Sequence, residues 1–193
     1  MIITIARQCG CNAIKVGEVL SQKYNLPLYT RQNLMLLAKG KGMLSEMCDF
    51  FEEAPVDDLM NAITTFTEEH EGIRKHFMRS FNSIIGDSDC IIIGRCGNRI
   101  FEQRKDLVSV FLHAELQMRI NNIAKEQGLS AENAKEFVMD MDCRRTSYHK
   151  FYTGHTWGDA ADYDISIDCC RLGVSKTAAL IEEYIKNVEA YKL

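Results

Sequence analysis

The chain has no apolar run approaching the roughly 20 residues of a membrane-spanning helix, which leaves no reason to read a bilayer span. It also lacks an excess of positive charge. With 23 Lys and Arg against 27 Asp and Glu, the net charge is −4, and no general attraction to nucleic acid polymers or anionic membranes follows. Any phosphate-binding site must therefore be local. No basic leader or small-residue cleavage site marks Met1-Ile2-Ile3-Thr4-Ile5, which reads as a first strand, and the expected location is cytoplasmic. Eight cysteines, at 9, 11, 48, 90, 96, 143, 169 and 170, include no C-x-x-C pair and no Cys/His spacing of zinc-site type. Most are expected to be small buried hydrophobes in a reducing compartment; Cys9 and Cys11, which flank Gly10, are set apart, with packing favoured there over a redox role. Internal repeats and low-complexity tracts are also missing. What is present is 193 residues, 46% apolar and 26% charged, the proportions of one soluble globular domain.

Apolar periodicity divides the chain into alternating elements. The β-branched run Ile2 to Ile5 leads into Arg7-Gln8-Cys9-Gly10, after which Val16, Val19, Leu20 and Tyr24 recur at helical spacing. A turn at Asn25-Leu26-Pro27 precedes Leu28-Tyr29, and a second helix runs from Arg31 toward Gly40 and Gly42. Pro55, Leu59, Ile63, Phe66, Ile73, Phe77, Phe81 and Ile84 predict one long, largely helical insertion ending near Gly86. Cys90 to Ile93 and Val108 to Leu112 are continuous apolar runs, the pattern of parallel strands covered on both faces. Helices are predicted over 97–103, 116–126 and 131–150, the last with Ser130 as N-cap, then a strand over 163–167 and a helix over 175–188. Strands separated by helices make an α/β fold with a parallel, right-handed sheet and helices on both faces.

In such sheets ligands bind beyond the carboxyl ends of the strands, where a loop opening a helix presents unpaired backbone N–H groups. That places the Arg7 to Lys15 loop at the expected site. Gly10 permits close backbone approach, and Arg7 and Lys15 supply positive charge. The pattern G-x-x-x-x-G-K-[ST] is absent, however, because Gly10 and Gly17 have the wrong spacing and no Lys-Ser/Thr follows. On spacing alone, a phosphate loop and a plain turn into a helix stand level.

Read end to end, the chain resembles the cytidylate kinase-like family. The similarity runs through Ile3-Thr4-Ile5-Ala6-Arg7-Gln8-Cys9-Gly10, Ile92-Ile93-Gly94-Arg95-Cys96 and Val110-Phe111-Leu112-His113-Ala114. It is strongest from Met141-Asp142-Cys143-Arg144-Arg145-Thr146-Ser147-Tyr148-His149-Lys150-Phe151-Tyr152 to Trp157 and over Tyr163 to Asp168. The resemblance implies a three-layer P-loop kinase fold with a parallel sheet of about five strands. It implies a core of 1–30, 88–129 and 160–193, an acceptor-binding helical insertion over 31–87 and a lid over 130–159. The activity implied is transfer of the γ-phosphoryl of ATP, with Mg2+, to a nucleoside monophosphate or similar small acceptor. Arg7, Gln8, Gly10, Cys11, Asn12, Ala13 and Lys15 would hold the nucleotide.

Against the family pattern, the phosphate-gripping lysine falls on Ala13 and the magnesium-holding hydroxyl on Lys15, while Cys96 and Thr30 stand where carboxylates occur. No protein ligand for a metal is therefore assigned. Lys15, Arg95 and Arg144 are the expected catalytic cations. Arg95, Asp142 and Arg145 are the expected acceptor contacts, with a surface ion pair as the plain alternative for Asp142 and Arg145 and a structural salt bridge for Arg95. Tyr148, Phe151, Tyr152 and Trp157 are expected to pack the lid, and His70, His76 and His113 to carry no chemistry. The 40–85 helices are read either as acceptor site or as a self-association interface. A nucleotide-binding regulatory protein without turnover is the competing function, and Ala13, Lys15, Thr30 and Cys96 favour it.

Overall fold

The computed structural model describes residues 1–47, 50–51 and 68–190. Five strands, β1 (Ile2–Arg7), β2 (Leu28–Tyr29), β3 (Cys90–Ile93), β4 (Leu107–His113) and β5 (Ile165–Asp168), form one sheet in the order β2-β3-β1-β4-β5. Every pairing is parallel, with Ile3 opposite Ile91 on one side and Val108 on the other. Parallel strands need helical crossovers, and these come from α1 (Ala13–Tyr24), α2 (Arg31–Gly40), α3 (Glu68–Ile85), α4 (Gly97–Ile100), α5 (Leu116–Gln127) and α6 (Ala131–Thr153), while α7 (Cys169–Leu172) and α8 (Val174–Ala190) follow β5.

Strand alternation sends side chains to two cores. Ile3, Ile5, Ile91, Ile93, Val110 and Leu112 meet α1 and α8 through Val16, Leu20, Ala178, Ile181 and Ile185. Ile2, Cys90 and Ile92 face the other way, onto Leu34, Phe50, Phe51, Phe81, Phe101, Tyr148 and Tyr152. Burial on both faces is why these strands read as unbroken apolar runs. A third, smaller cluster of Cys9, Ile120, Ile123, Ala134 and Val138 seats α5 and α6 beside the loop after β1.

Several boundaries differ from the periodicity. The helix predicted over 97–103 stops at Ile100, and turns at Phe101 and Arg104 bring Leu107 into register with Ile2. The last strand begins at Ile165 rather than Tyr163, because the Asp164 carboxylate accepts from both the backbone N and Oγ of Ser109 at 2.7 Å and the chain joins the sheet only beyond that clasp. Ser130 does cap α6, accepting from Asn133 N at 3.2 Å. Of the predicted insertion, α3 is present from Glu68; Pro55, Leu59, Ile63 and Phe66 lie outside the described residues, as does Cys48. No helix among the described residues is long and apolar enough to cross a membrane.

Candidate functional site

The loop from Arg7 to Asn12 joins the carboxyl end of β1 to the amino end of α1, and the first N–H groups of α1 have no partner within the helix. Gly10 has φ +85°, and a Cβ there would meet the carbonyl oxygen of Arg119 at 2.6 Å, so only glycine lets the loop lie against α5. Asn12 adopts the left-handed conformation directly before α1, a geometry asparagine tolerates. Around this loop lies a cavity of about 340 Å³ lined by Arg7 through Lys15, by Ile123, Glu126 and Gln127 of α5, and by Phe137, Met141 and Arg145 of α6. That size falls in the small-molecule range. It has a polar, cationic floor, while Ile123, Phe137 and Met141 supply an apolar side.

Arg7 and Arg145 also line a second space, of about 20 Å³, together with Gly94, Arg95, Asn98, Tyr148, His149 and Trp157. It has room for about one water. The two arginines thus stand between the loop cavity and this arginine-lined cleft. Arg145 Nη1 donates to the carbonyl of Arg7 at 3.3 Å. The Arg7 guanidinium rests on Gly94, where an added Cβ would lie 2.3 Å from Nη1.

Each expected site residue has a definite place. Gln8 braces the loop, its Oε1 accepting from Ala114 N at 3.2 Å. Ala13 is buried in the core at the first turn of α1. Lys15 stands at the cavity rim, 55% exposed, donating to Asn12 Oδ1 at 3.0 Å and lying 3.9 Å from a Glu126 carboxylate oxygen. Arg95 is buried, with φ +57°, donating to the Phe50 carbonyl at 3.1 Å and lying 5.6 Å from the Tyr148 ring centroid. Arg144 lines neither cavity; it is 42% exposed and paired with Asp140 at 2.8 Å. Asp142 turns to the loop after β1: Oδ1 accepts from Cys9 N at 2.7 Å and Oδ2 from Arg119 Nη1 at 2.5 Å. Cys11 lines the loop cavity, but its thiol belongs to a cluster with Cys169 and Cys170.

Arg119 is the residue that sequence reasoning missed. It is 7% exposed, and besides Asp142 it holds the carbonyls of Cys9 and Ala114. A signal was present, since Arg119 sits four residues before Ile123 on the buried face of α5, a charge inside an apolar stripe. His149 is another. Burial pushes its imidazole down to about 4, so it is neutral at ordinary pH. Tyr148, Tyr152 and Trp157 are packing groups, Tyr148 and Tyr152 meeting Phe50 in tilted and edge-on contacts and Trp157 meeting Phe111 edge-on. His76 is exposed and bonded to Glu46, and the side chain of His70 lies outside the described residues.

The donors around the loop do not fit a magnesium ion held by the protein. Gln8 Oε1 and Asn12 Oδ1 are engaged by Ala114 N and Lys15, and the cavity's carboxylate, Glu126, lies beside Lys15. Cys96, which stands where the family pattern has a carboxylate, is buried in the core with φ +54°. Magnesium favours hard oxygen ligands. A nucleotide's own phosphates would have to bring the ion with them.

Comparison with known proteins agrees with the architecture. An uncharacterized protein from Eubacterium ventriosum ATCC 27560 superposes with a TM-score of 0.75 at 24% identity, covering 97% of this chain and 98% of that one. The shikimate kinase of Bacteroides thetaiotaomicron gives 0.54 at 12% identity, over 96% and 98% of the two chains. A gluconokinase from Sinorhizobium meliloti 1021 gives 0.53 at 11%, over 99% and 97%. These likenesses show the P-loop kinase fold. No curated protein matches the sequence. The model of the cytidylate kinase-like family matches residues 2–170, and the chain belongs to that family.

Proposed function

We propose that the protein is an ATP-dependent phosphotransferase acting on a nucleoside monophosphate or a similar small phosphate acceptor. The observation that carries this reading is the position of Arg7 and Arg145, which line both the loop cavity and the arginine-lined cleft. Phosphoryl transfer needs two anions brought together and their charge neutralised. Cations common to a donor site and an acceptor site do both. The bound nucleotide supplies the γ-phosphoryl group. The first N–H groups of α1, with Lys15, Arg7 and Arg145, hold its phosphates; Ile123, Phe137 and Met141 cover its apolar part. Arg95 and Arg145 face the acceptor.

The cleft of about 20 Å³ is too small for a phosphate group, so acceptor entry requires α6 to lift. On this reading 130–159 is the lid, 31–87 the acceptor side and the remainder the core. Asp142, held by Cys9 and Arg119, works through the loop rather than on the acceptor.

Purified protein incubated with ATP, magnesium and a panel of nucleoside monophosphates, with ADP formation measured and ATP binding followed by calorimetry, tests the reading. Turnover with one acceptor is expected, and Arg145→Ala should lower kcat by about 10²–10³-fold, the scale of a lost charge-stabilising donor. A second reading, a nucleotide-binding regulator without turnover, draws on the burial of Ala13 and the tethering of Lys15 by Asn12 and Glu126. ATP binding without transfer to any acceptor would decide for it.

A further inference from the structure

Spacing along the chain gives no metal site, but the fold gathers three cysteines from two distant segments. Cys11 in the phosphate loop meets Cys169 and Cys170 at the end of β5, and their Sγ atoms all lie within 4.8 Å of one another. Cys11 and Cys169 are buried; Cys170 is partly exposed. We propose that these three thiols form a site for a Zn2+ ion, which ties the phosphate loop to the chain after β5.

Four features carry this. Zinc thiolate bonds of about 2.3 Å in a tetrahedron put neighbouring sulfurs about 3.8 Å apart, so closure from the observed separations needs shifts of about 1 Å at most. The three residues line a cavity of about 180 Å³ together with Asn12, Met118 and Asn122, which leaves room for a water in the fourth position. Asn122 holds the arrangement, its Nδ2 donating to Gly10 O at 2.8 Å and to Cys170 Sγ at 3.4 Å. Finally, Asp168, adjoining the pair, has a buried Oδ1 without a hydrogen-bond partner among the described residues. A buried carboxylate oxygen without a partner beside three thiols is a place where a bound cation would be favoured.

Soft thiolate ligands select zinc over magnesium or calcium. Binding forms three S–Zn bonds and releases the three thiol protons to solvent. The Sγ–H contacts of Cys169 with the carbonyls of Cys11 and His113, at 3.3 and 3.5 Å, are lost in the process.

The test uses the full chain, fully reduced, titrated with Co2+ as a coloured stand-in and then with Zn2+. One equivalent of Co2+ should give a thiolate-to-cobalt charge-transfer band and the visible absorption of a tetrahedral site, and Zn2+ should bleach both. The bands should vanish in Cys11→Ser and in Cys170→Ser, the second at a partly exposed position where folding is least at risk. They should persist in Cys143→Ser, at an exposed position outside the cluster. No band in the parent protein, a band that survives Cys11→Ser or Cys170→Ser, or loss of the band in Cys143→Ser overturns the assignment. The readout does not depend on kinase activity, so failure of the site and failure of the proposed function are separate results.

Discussion

Replacing Arg119 with methionine is the sharpest test of how the loop after β1 is held. Methionine keeps much of the aliphatic volume and removes every donor. The wild-type side chain donates to Ala114 O at 3.1 Å, to Cys9 O at 3.2 Å and to Asp142 Oδ2 at 2.5 Å, and is 7% exposed. Removing one partner of a buried ion pair costs about 3–5 kcal/mol. Asp142 is 19% exposed and keeps its bond from Cys9 N, which places its share at the lower end. The orphaned carbonyls of Cys9 and Ala114 each add about 1 kcal/mol where water does not replace the guanidinium. A loss of about 3–5 kcal/mol follows, and with a urea slope of about 2–3 kcal/mol/M the unfolding midpoint should fall by more than about 1 M. Asp142→Asn and the double variant complete the cycle, for which a coupling above about 1.5 kcal/mol is expected from a charge-assisted bond. A single-variant loss below about 1 kcal/mol, or additivity of the two substitutions within about 0.5 kcal/mol, would refute the buried clasp.

His149 gives a pH signature. Its folded value of about 4 lies below the unfolded 6.5, so the unfolded chain binds more protons between them. The stability gained from holding it neutral is therefore present above the unfolded value and is lost as pH falls from about 6.5 through about 4, by up to about 3 kcal/mol. His149→Gln should flatten that part of the urea-midpoint profile; an unchanged profile would show that another group titrates. Gly94→Ala meets both a φ of +76° and Arg7 Nη1 at 2.3 Å. It should destabilise by about 1–2 kcal/mol from the left-handed backbone alone, and by displacing Arg7 it should weaken ATP binding in calorimetry; wild-type affinity would remove Arg7 from the phosphate site. Lys15→Ala deletes an exposed rim cation and should weaken ATP binding by up to about fivefold, roughly one surface ion pair, with wild-type binding showing that Lys15 contributes nothing.

The sheet was legible because burial on both faces forces continuous apolar runs, and Cys90 to Ile93 are all buried. The place of the loop was legible too, since a loop after the first strand of a parallel sheet lies beyond the carboxyl ends of its strands. What could not be read was which side chains meet there. Asp142 and Cys9 lie 133 residues apart, and Cys11 and Cys169 lie 158 apart. Periodicity reports which face of an element is buried, not what it is buried against. The three-residue spacing of Asp142 and Arg145 correctly put both on one helix side, yet one turns to Cys9 and Arg119 and the other to Arg7. Arg144, next in the chain, points away from both cavities, because a helix rotates about 100° between neighbours.

The loss of a lysine at Ala13 changes the physics of the proposed phosphate site rather than merely weakening it. A lysine on α1 would carry its charge on the same rigid element as the loop, present whether or not the lid is closed. Here Arg7 comes from the end of β1 and Arg145 from α6, and the carbonyl contact between them joins strand end to helix. Part of the charge available to the phosphates thus travels with α6, while Asp142 on the same helix occupies the Cys9 amide. Lifting α6 to admit an acceptor would withdraw Arg145 and Asp142 together. In the proposed function, grip on the donor phosphates and access for the acceptor are therefore opposed motions of one helix. An ordered sequence is the consequence: acceptor enters while α6 is raised, and the cationic site is completed as it returns.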